Sequence, residues 1–181
     1  PANFGDVASD RTALRLAAAR RLARSLSPGD RVRFFGFNEE GVSEVDEGRL
    51  DGLTGTAHGR SNLWLAVETA YDALAAATGP ATIVVLTDGF DTCNGELRRP
   101  CTAPCVTADY PALLARLEAD QQIGRRVAIE VIQFEAVGYP GQDPRLIEAA
   151  CVSGGHYRYL DSDGRDFGTR TQMFEAAVDN V

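Results

Sequence analysis

The sequence predicts an α/β domain of Rossmann-like type: a mostly parallel central sheet with helices on both faces, three layers in all. Three observations carry this. Ala81 to Thr87 and Val127 to Phe134 are runs rich in β-branched residues, the character of strands buried on both faces. Stretches with apolar residues at helical spacing lie between such runs. Strand and helix signals alternate along the chain, the order that lays parallel strands beneath crossover helices.

Pro1 to Asp10 reads as a small, polar loop. A helix follows from Arg11 to Leu26, with Leu14, Leu16, Ala17, Ala18, Leu22 and Leu26 on one side and Ser9 or Asp10 able to cap its amide end. Ser27-Pro28-Gly29-Asp30 is a turn. Arg31 to Phe37 alternates apolar and polar positions and reads as a strand, and Val42 to Asp46 as a short edge strand. After the glycine-rich loop Thr54 to Gly59, a helix runs from Asn62 to Ala77 with Leu63, Ala66, Val67, Ala70, Tyr71 and Leu74 on one stripe. Gly79-Pro80 ends it, and the strand Ala81 to Thr87 follows. A long loop from Asp88 to Ala108 leads to a helix at Asp109 to Gln122 and the strand Val127 to Phe134. Asp143 to Cys151 is a short helix, His156 to Leu160 a last strand, and Phe167 to Val178 a closing helix. In open sheets of this type ligands sit outside the carboxyl ends of the strands. The loop after Thr87 lies there, and the loop before Ser61 joins it if it rises past the same edge.

The 181 residues fit one domain, spanning 1–181, large enough to bury a core without disulfides. Hydrophobic residues at 44% and charged residues at 24% give the balance of a globular protein. No apolar stretch is long enough to span a bilayer, and no secretory signal is visible. The formal net charge of −8 repels phosphate backbones and argues against nucleic-acid binding. Cys93, Cys101, Cys105 and Cys151 allow two disulfides, with three crowded into one loop. Four reduced thiols or a zinc site are the alternatives, though the spacing is not the usual paired Cys-x2-Cys.

Two stretches carry chemistry. Ile83-Val84-Val85-Leu86-Thr87-Asp88-Gly89-Phe90-Asp91 ends a buried strand in an acidic loop, presenting Asp88 at the carboxyl edge. A carboxylate there either caps nearby amides or binds a cation. Gly59-Arg60-Ser61-Asn62-Leu63 directly precedes a helix. Ser61 is a good N-cap on sight, and its hydroxyl equally suits a hard cation.

The order of these segments resembles a von Willebrand factor A domain. Ser27-Pro28-Gly29-Asp30-Arg31-Val32, the strand ending Phe35-Gly36-Phe37, the Gly59 to Leu63 stretch and Leu86-Thr87-Asp88-Gly89-Phe90-Asp91 follow the family pattern. So does Leu146 to Tyr157, with its Gly154-Gly155 turn. The Thr92-Cys93 pair and the later Cys151 are similar to bacterial members. The resemblance implies a protein-binding, adhesion-type module and a metal-ion-dependent adhesion site, with Ser61 at the family's Thr position and Asp88 at its Asp position. The ion implied is Mg²⁺, with Ca²⁺ or Mn²⁺ as alternatives, and the partner is a protein supplying a carboxylate. The family's Asp-x-Ser-x-Ser segment is missing: in Gly5-Asp6-Val7-Ala8-Ser9, Ala8 replaces the first Ser and no apolar strand precedes it. The expectation is therefore a domain truncated before its first, central strand, completed by an upstream segment or another chain, with metal binding weak or absent from these residues alone.

Other constellations are weaker. His58, Ser61 and Asp88 could suggest a hydrolase triad, but Ser61 lacks the Gly-x-Ser-x-Gly elbow. Asp88 with Asp91 could suggest an α/β hydrolase or phosphotransferase, but no glycine-rich phosphate loop accompanies them. No catalytic residue is assigned, and the expectation is a non-enzyme. Asp161, Asp163 and Asp166 read as solvated turn carboxylates, His156 as a structural partner, Trp64 and Tyr71 as packing residues, and Arg20, Arg21 and Arg24 as a solvated helix face. Oxidised cysteines would place the domain in an extracellular, periplasmic or cell-surface compartment, reduced ones in the cytoplasm.

Overall fold

The computed structural model describes residues 14–38, 40–52, 61–77, 79–87, 91, 93, 108–125, 127–134 and 142–160. The expected opening loop, its Ser9 or Asp10 cap, the carboxylates at 161, 163 and 166 and the closing helix Phe167–Val178 lie outside them.

Three parallel strands form the main sheet: β3 (Ala81–Thr87), β4 (Val127–Phe134) and β5 (Tyr157–Leu160), in the order β3-β4-β5. Upstream, β1 (Phe34–Asn38) and β2 (Gly41–Val45) pair antiparallel as a separate two-stranded ribbon. The Asn38 side chain accepts the Glu40 and Gly41 amides to close that hairpin. Helices α1 (Leu14–Ser25), α2 (Leu63–Ala73), α3 (Tyr110–Gln122) and α4 (Pro144–Ser153) complete the description, with a 3-10 turn at Glu47–Gly52.

Alternation along the strands sorts the core onto two faces. Ile83, Val85, Ile129 and Val131 pack with Leu63, Trp64 and Val67 of α2, Leu113 and Leu117 of α3, and Leu146 and Ala149 of α4. The neighbour of Val131, Ile132, points the other way, and packs with Ala18 and Leu22 of α1 together with Leu86 and Leu160. Helices on both faces of a parallel sheet is the expected three-layer arrangement. Each buried Leu, Ile or Val contributes about 1.5–3 kcal/mol. Trp64, with no exposed surface, is a core residue, in line with its reading as a packing residue.

Polar groups lock the far end of this layer. The Tyr71 hydroxyl donates to Asp120, which also pairs with Arg125 at 3.0 Å. The Arg116 and Arg125 guanidinium groups lie 4.6 and 5.4 Å from the Tyr71 ring. Arg125 also donates to the Leu74 carbonyl at 3.0 Å. Helix α2 stops at Ala73 rather than running to Ala77: the chain tightens there into three-residue turns, Leu74 amide to Tyr71 carbonyl and Ala77 amide to Leu74 carbonyl. The first strand also shifts, starting at Phe34 rather than Arg31. Arg33, just before it, is exposed and pairs with Glu44 of β2 at 2.7 Å.

The α4–β5 connection leaves no room for a side chain. Gly154 adopts a left-handed conformation, φ +74°, at the end of α4, and a Cβ on Gly155 would lie 2.2 Å from the Ile129 carbonyl oxygen. Gly155→Ala should therefore force β4 and the turn apart and destabilise the domain by about 1–3 kcal/mol. Urea unfolding checks this; a midpoint equal to the parent's would refute the close approach.

Candidate functional site

Helices α2, α3 and α4 all begin at the carboxyl edge of the main sheet, and an aspartate closes the amide end of each. Asp109 accepts from the Ala112 amide at 3.1 Å to start α3. Asp143, 1% exposed, accepts from the Arg145 amide at 3.0 Å to start α4. Its own amide donates to Gln133 near the end of β4, and Gln133 also accepts from the Tyr157 hydroxyl at 2.6 Å. In both helices a proline follows the cap within two residues, where a missing amide costs nothing.

The cap of α2 is supplied differently. Ser61 is not the N-cap that its position suggested; Asn62 holds that place and makes no side-chain cap bond. Asn62 instead donates its amide to the Asn38 carbonyl at the end of β1, 2.9 Å away. The acceptor for the first turn of α2 comes from 27 residues downstream: Asp91 takes the Trp64 amide at 2.9 Å. The other Asp91 oxygen takes the Cys93 amide at 2.9 Å, and that amide also reaches the Ser61 carbonyl at 3.2 Å. Asp91 is 2% exposed. A carboxylate outperforms a serine hydroxyl here because it accepts two amides at once and carries charge to the positive end of the helix.

These bonds join the two stretches that the sequence singled out. Ser61, half-buried before α2, touches the segment that follows β3 through Cys93. Asp88 lies outside the described residues, as do Gly59, Arg60, His58, Gly89 and Phe90. Among the described residues no three His, Cys, Asp or Glu side chains gather as a metal site. The described residues therefore do not fit a divalent cation by themselves: they bring Ser61, while the Asp91 carboxylate is engaged by main-chain amides.

Cys93 is buried and Cys151 exposed on α4, and they are not bonded to each other; Cys101 and Cys105 lie outside the described residues. His156 is a structural partner as expected, its Nδ1 2.9 Å from Glu130, which Arg158 approaches at 3.3 Å. Sequence reasoning missed Gln133, Arg145 and the bridging role of Asp91. Asp109-Tyr110-Pro111 and Asp143-Pro144 did carry local cap signals; for Asp91 no local signal exists, because its helix starts far upstream.

The rim beside α2 is anchored by Tyr110. Its ring lies 4.5 Å from Trp64, and its hydroxyl donates to Glu148 at 2.6 Å and reaches the Arg145 carbonyl at 3.2 Å. The Arg145 guanidinium sits 5.8 Å from the Trp64 ring.

The chain matches no protein-family profile and no curated protein. Its fold matches solved structures. One, titled "von Willebrand factor type A from Catenulispora acidiphila", has TM-score 0.58 and 18% identity over 96% of this chain. The fold is that of a von Willebrand factor A domain. A second match is the human COPII-coat protein Sec24c, with TM-score 0.52 and 12% identity over 94% of this chain. The chain spans 39% and 30% of the lengths of these two solved chains. In this von Willebrand factor A fold the edge holding Ser61, Asp91 and the three helix starts is the carboxyl edge, where open sheets receive ligands. Among the described residues no helix is long and apolar enough to cross a membrane.

Burial, and then the hydrogen bond to Glu148, push the Tyr110 phenol well above its ordinary value. Burial does the same for Tyr157, with Tyr159 and Asp143 adding to it. A phenol raised in the folded state contributes stability that is complete below about pH 10 and is lost as pH climbs through the folded-state value. An ultraviolet absorbance titration should show late-ionising phenols, one fewer in Tyr110→Phe; an unchanged number in that variant would contradict the burial.

Proposed function

We propose that this chain is a protein-binding, adhesion-type module, not an enzyme, whose carboxyl edge around Ser61 and Asp88 helps to hold a divalent cation for a partner's carboxylate. The observation that carries this reading is the bond from the Cys93 amide to the Ser61 carbonyl, which joins the segment after β3 to the residue before α2. A hydroxyl and a carboxylate presented there make an all-oxygen, hard donor set. That chemistry suits Mg²⁺, which accepts few protein ligands and keeps several waters, ahead of Ca²⁺ or Mn²⁺. A cation with an open position would bind an acidic side chain that an acidic surface otherwise repels. We take the remaining ligands to come from outside these residues, since the chain contains no Asp-x-Ser-x-Ser segment. The cysteine-bearing loop after Asp88 would border the bound partner, and its oxidation would suit an extracellular or periplasmic setting.

The hydrolase or phosphotransferase reading gains no support from Asp91, whose oxygens accept the Trp64 and Cys93 amides. The test is Asp88→Ala in the full-length protein, measured by calorimetric titration with Mg²⁺. Affinity should fall by about tenfold or more, since even outer-shell changes at metal sites cost that much, while the melting temperature holds. Mg²⁺ affinity equal to the parent's would overturn the proposal.

A further inference from the structure

The geometry points to Asp91 as the positioning residue of this edge, a latch that sets where the segment after β3 stands relative to Ser61. The assignment rests on the binding reading above and adds to it a residue that neither holds an ion nor meets a partner.

Asp91 is inside the protein, at 2% exposure, and both of its carboxylate oxygens accept main-chain amides. Its two oxygens face two different segments. Oδ2 takes the Trp64 amide in the first turn of α2, and Oδ1 takes the Cys93 amide two residues along its own segment. The Cys93 amide is shared with the Ser61 carbonyl at 3.2 Å. The loop after Thr87 is thus tied to the amino end of α2 by one side chain and by the main-chain bond beside it. Trp64 cannot follow a displaced loop, because it is fully buried against Tyr110. Asn62, one residue before α2, is tied to the end of β1. The helix start is therefore the fixed member and the loop the member that is held.

The residue type matters. A carboxylate is acceptor-only and can satisfy both amides, whereas Asn offers one acceptor and turns a donor toward the other amide. Asp91→Asn should half-open the latch and Asp91→Ala release it. A released loop leaves the Cys93 thiol, 4% exposed in the intact protein, open to solvent.

The test uses two readouts on the full-length protein. The first is peptide-resolved alkylation by iodoacetamide under reducing conditions, with the exposed Cys151 as internal reference. In the parent Cys93 should react far more slowly than Cys151. Asp91→Ala should speed Cys93 by about tenfold or more with Cys151 unchanged, and Asp91→Asn should fall between. The control is Gly155→Ala, which costs comparable stability at the opposite edge of the sheet, where α4 turns into β5; it should leave Cys93 slow. The second readout is Mg²⁺ titration. Asp91→Ala should bind about tenfold more weakly or worse, the size of effect expected when a supporting group is lost, while Gly155→Ala binds as the parent does. If Asp91→Ala does not fold, Asp91→Asn carries both measurements.

Cys93 reacting equally slowly in the Asp91 variants overturns the latch. Equal loss of Mg²⁺ affinity in Gly155→Ala also overturns it, because the effect would then be one of stability. A parent that takes up no Mg²⁺ refutes the cation reading instead, and the alkylation rates still decide the latch.

Discussion

The Asp91 carboxylate beneath the first turn of α2 is the interaction on which the carboxyl edge depends. Helix starts leave amide groups without partners, and buried ones must be satisfied. Here the satisfying group arrives from the segment after β3, so one solution to a local problem also welds a loop to a helix. Removing it would leave the Trp64 amide unpaired at a fully buried residue, which costs about 1–3 kcal/mol. The weld matters more than the energy, since it brings together segments some thirty residues apart.

Helix α2 also organises what lies below it. Its buried face packs on the main sheet, and its start is tied to β1 through Asn62. Its far end is fastened to α3 by Tyr71, Asp120, Arg116 and Arg125. A helix held at both ends cannot slide, so the position of Ser61 just before it is set by the whole layer. The positive ends of α2, α3 and α4 converge on one edge, but Asp91, Asp109 and Asp143 offset all three. An edge neutralised in this way has little pull of its own on an anion.

Much of the fold could be read along the chain. β3 and β4 occupy the spans that their β-branched runs marked, because the central strands of a covered sheet are mostly apolar and announce themselves in composition. α3 and α4 start where Asp-Tyr-Pro and Asp-Pro place a cap and a proline. The end of α2 was less legible: local three-residue turns close it, and Arg125, from beyond α3, adds a bond to the Leu74 carbonyl that no neighbouring pattern announces. Its beginning was not legible: Ser61 offered a plausible local cap, and a carboxylate from elsewhere outcompeted it.

Sequence by itself determined the α/β class, the alternation of elements and the two stretches that bear the candidate chemistry, because periodicity and turn residues act over a few neighbours. Tertiary structure alone decided that Asp91 is the carboxylate that caps α2. Asp88 and Asp91 are the same residue type three positions apart, and nothing in their neighbours separates them. What separates Asp91 is a buried amide on a distant helix, and such a group acquires a position only when the sheet and its covering helices have packed.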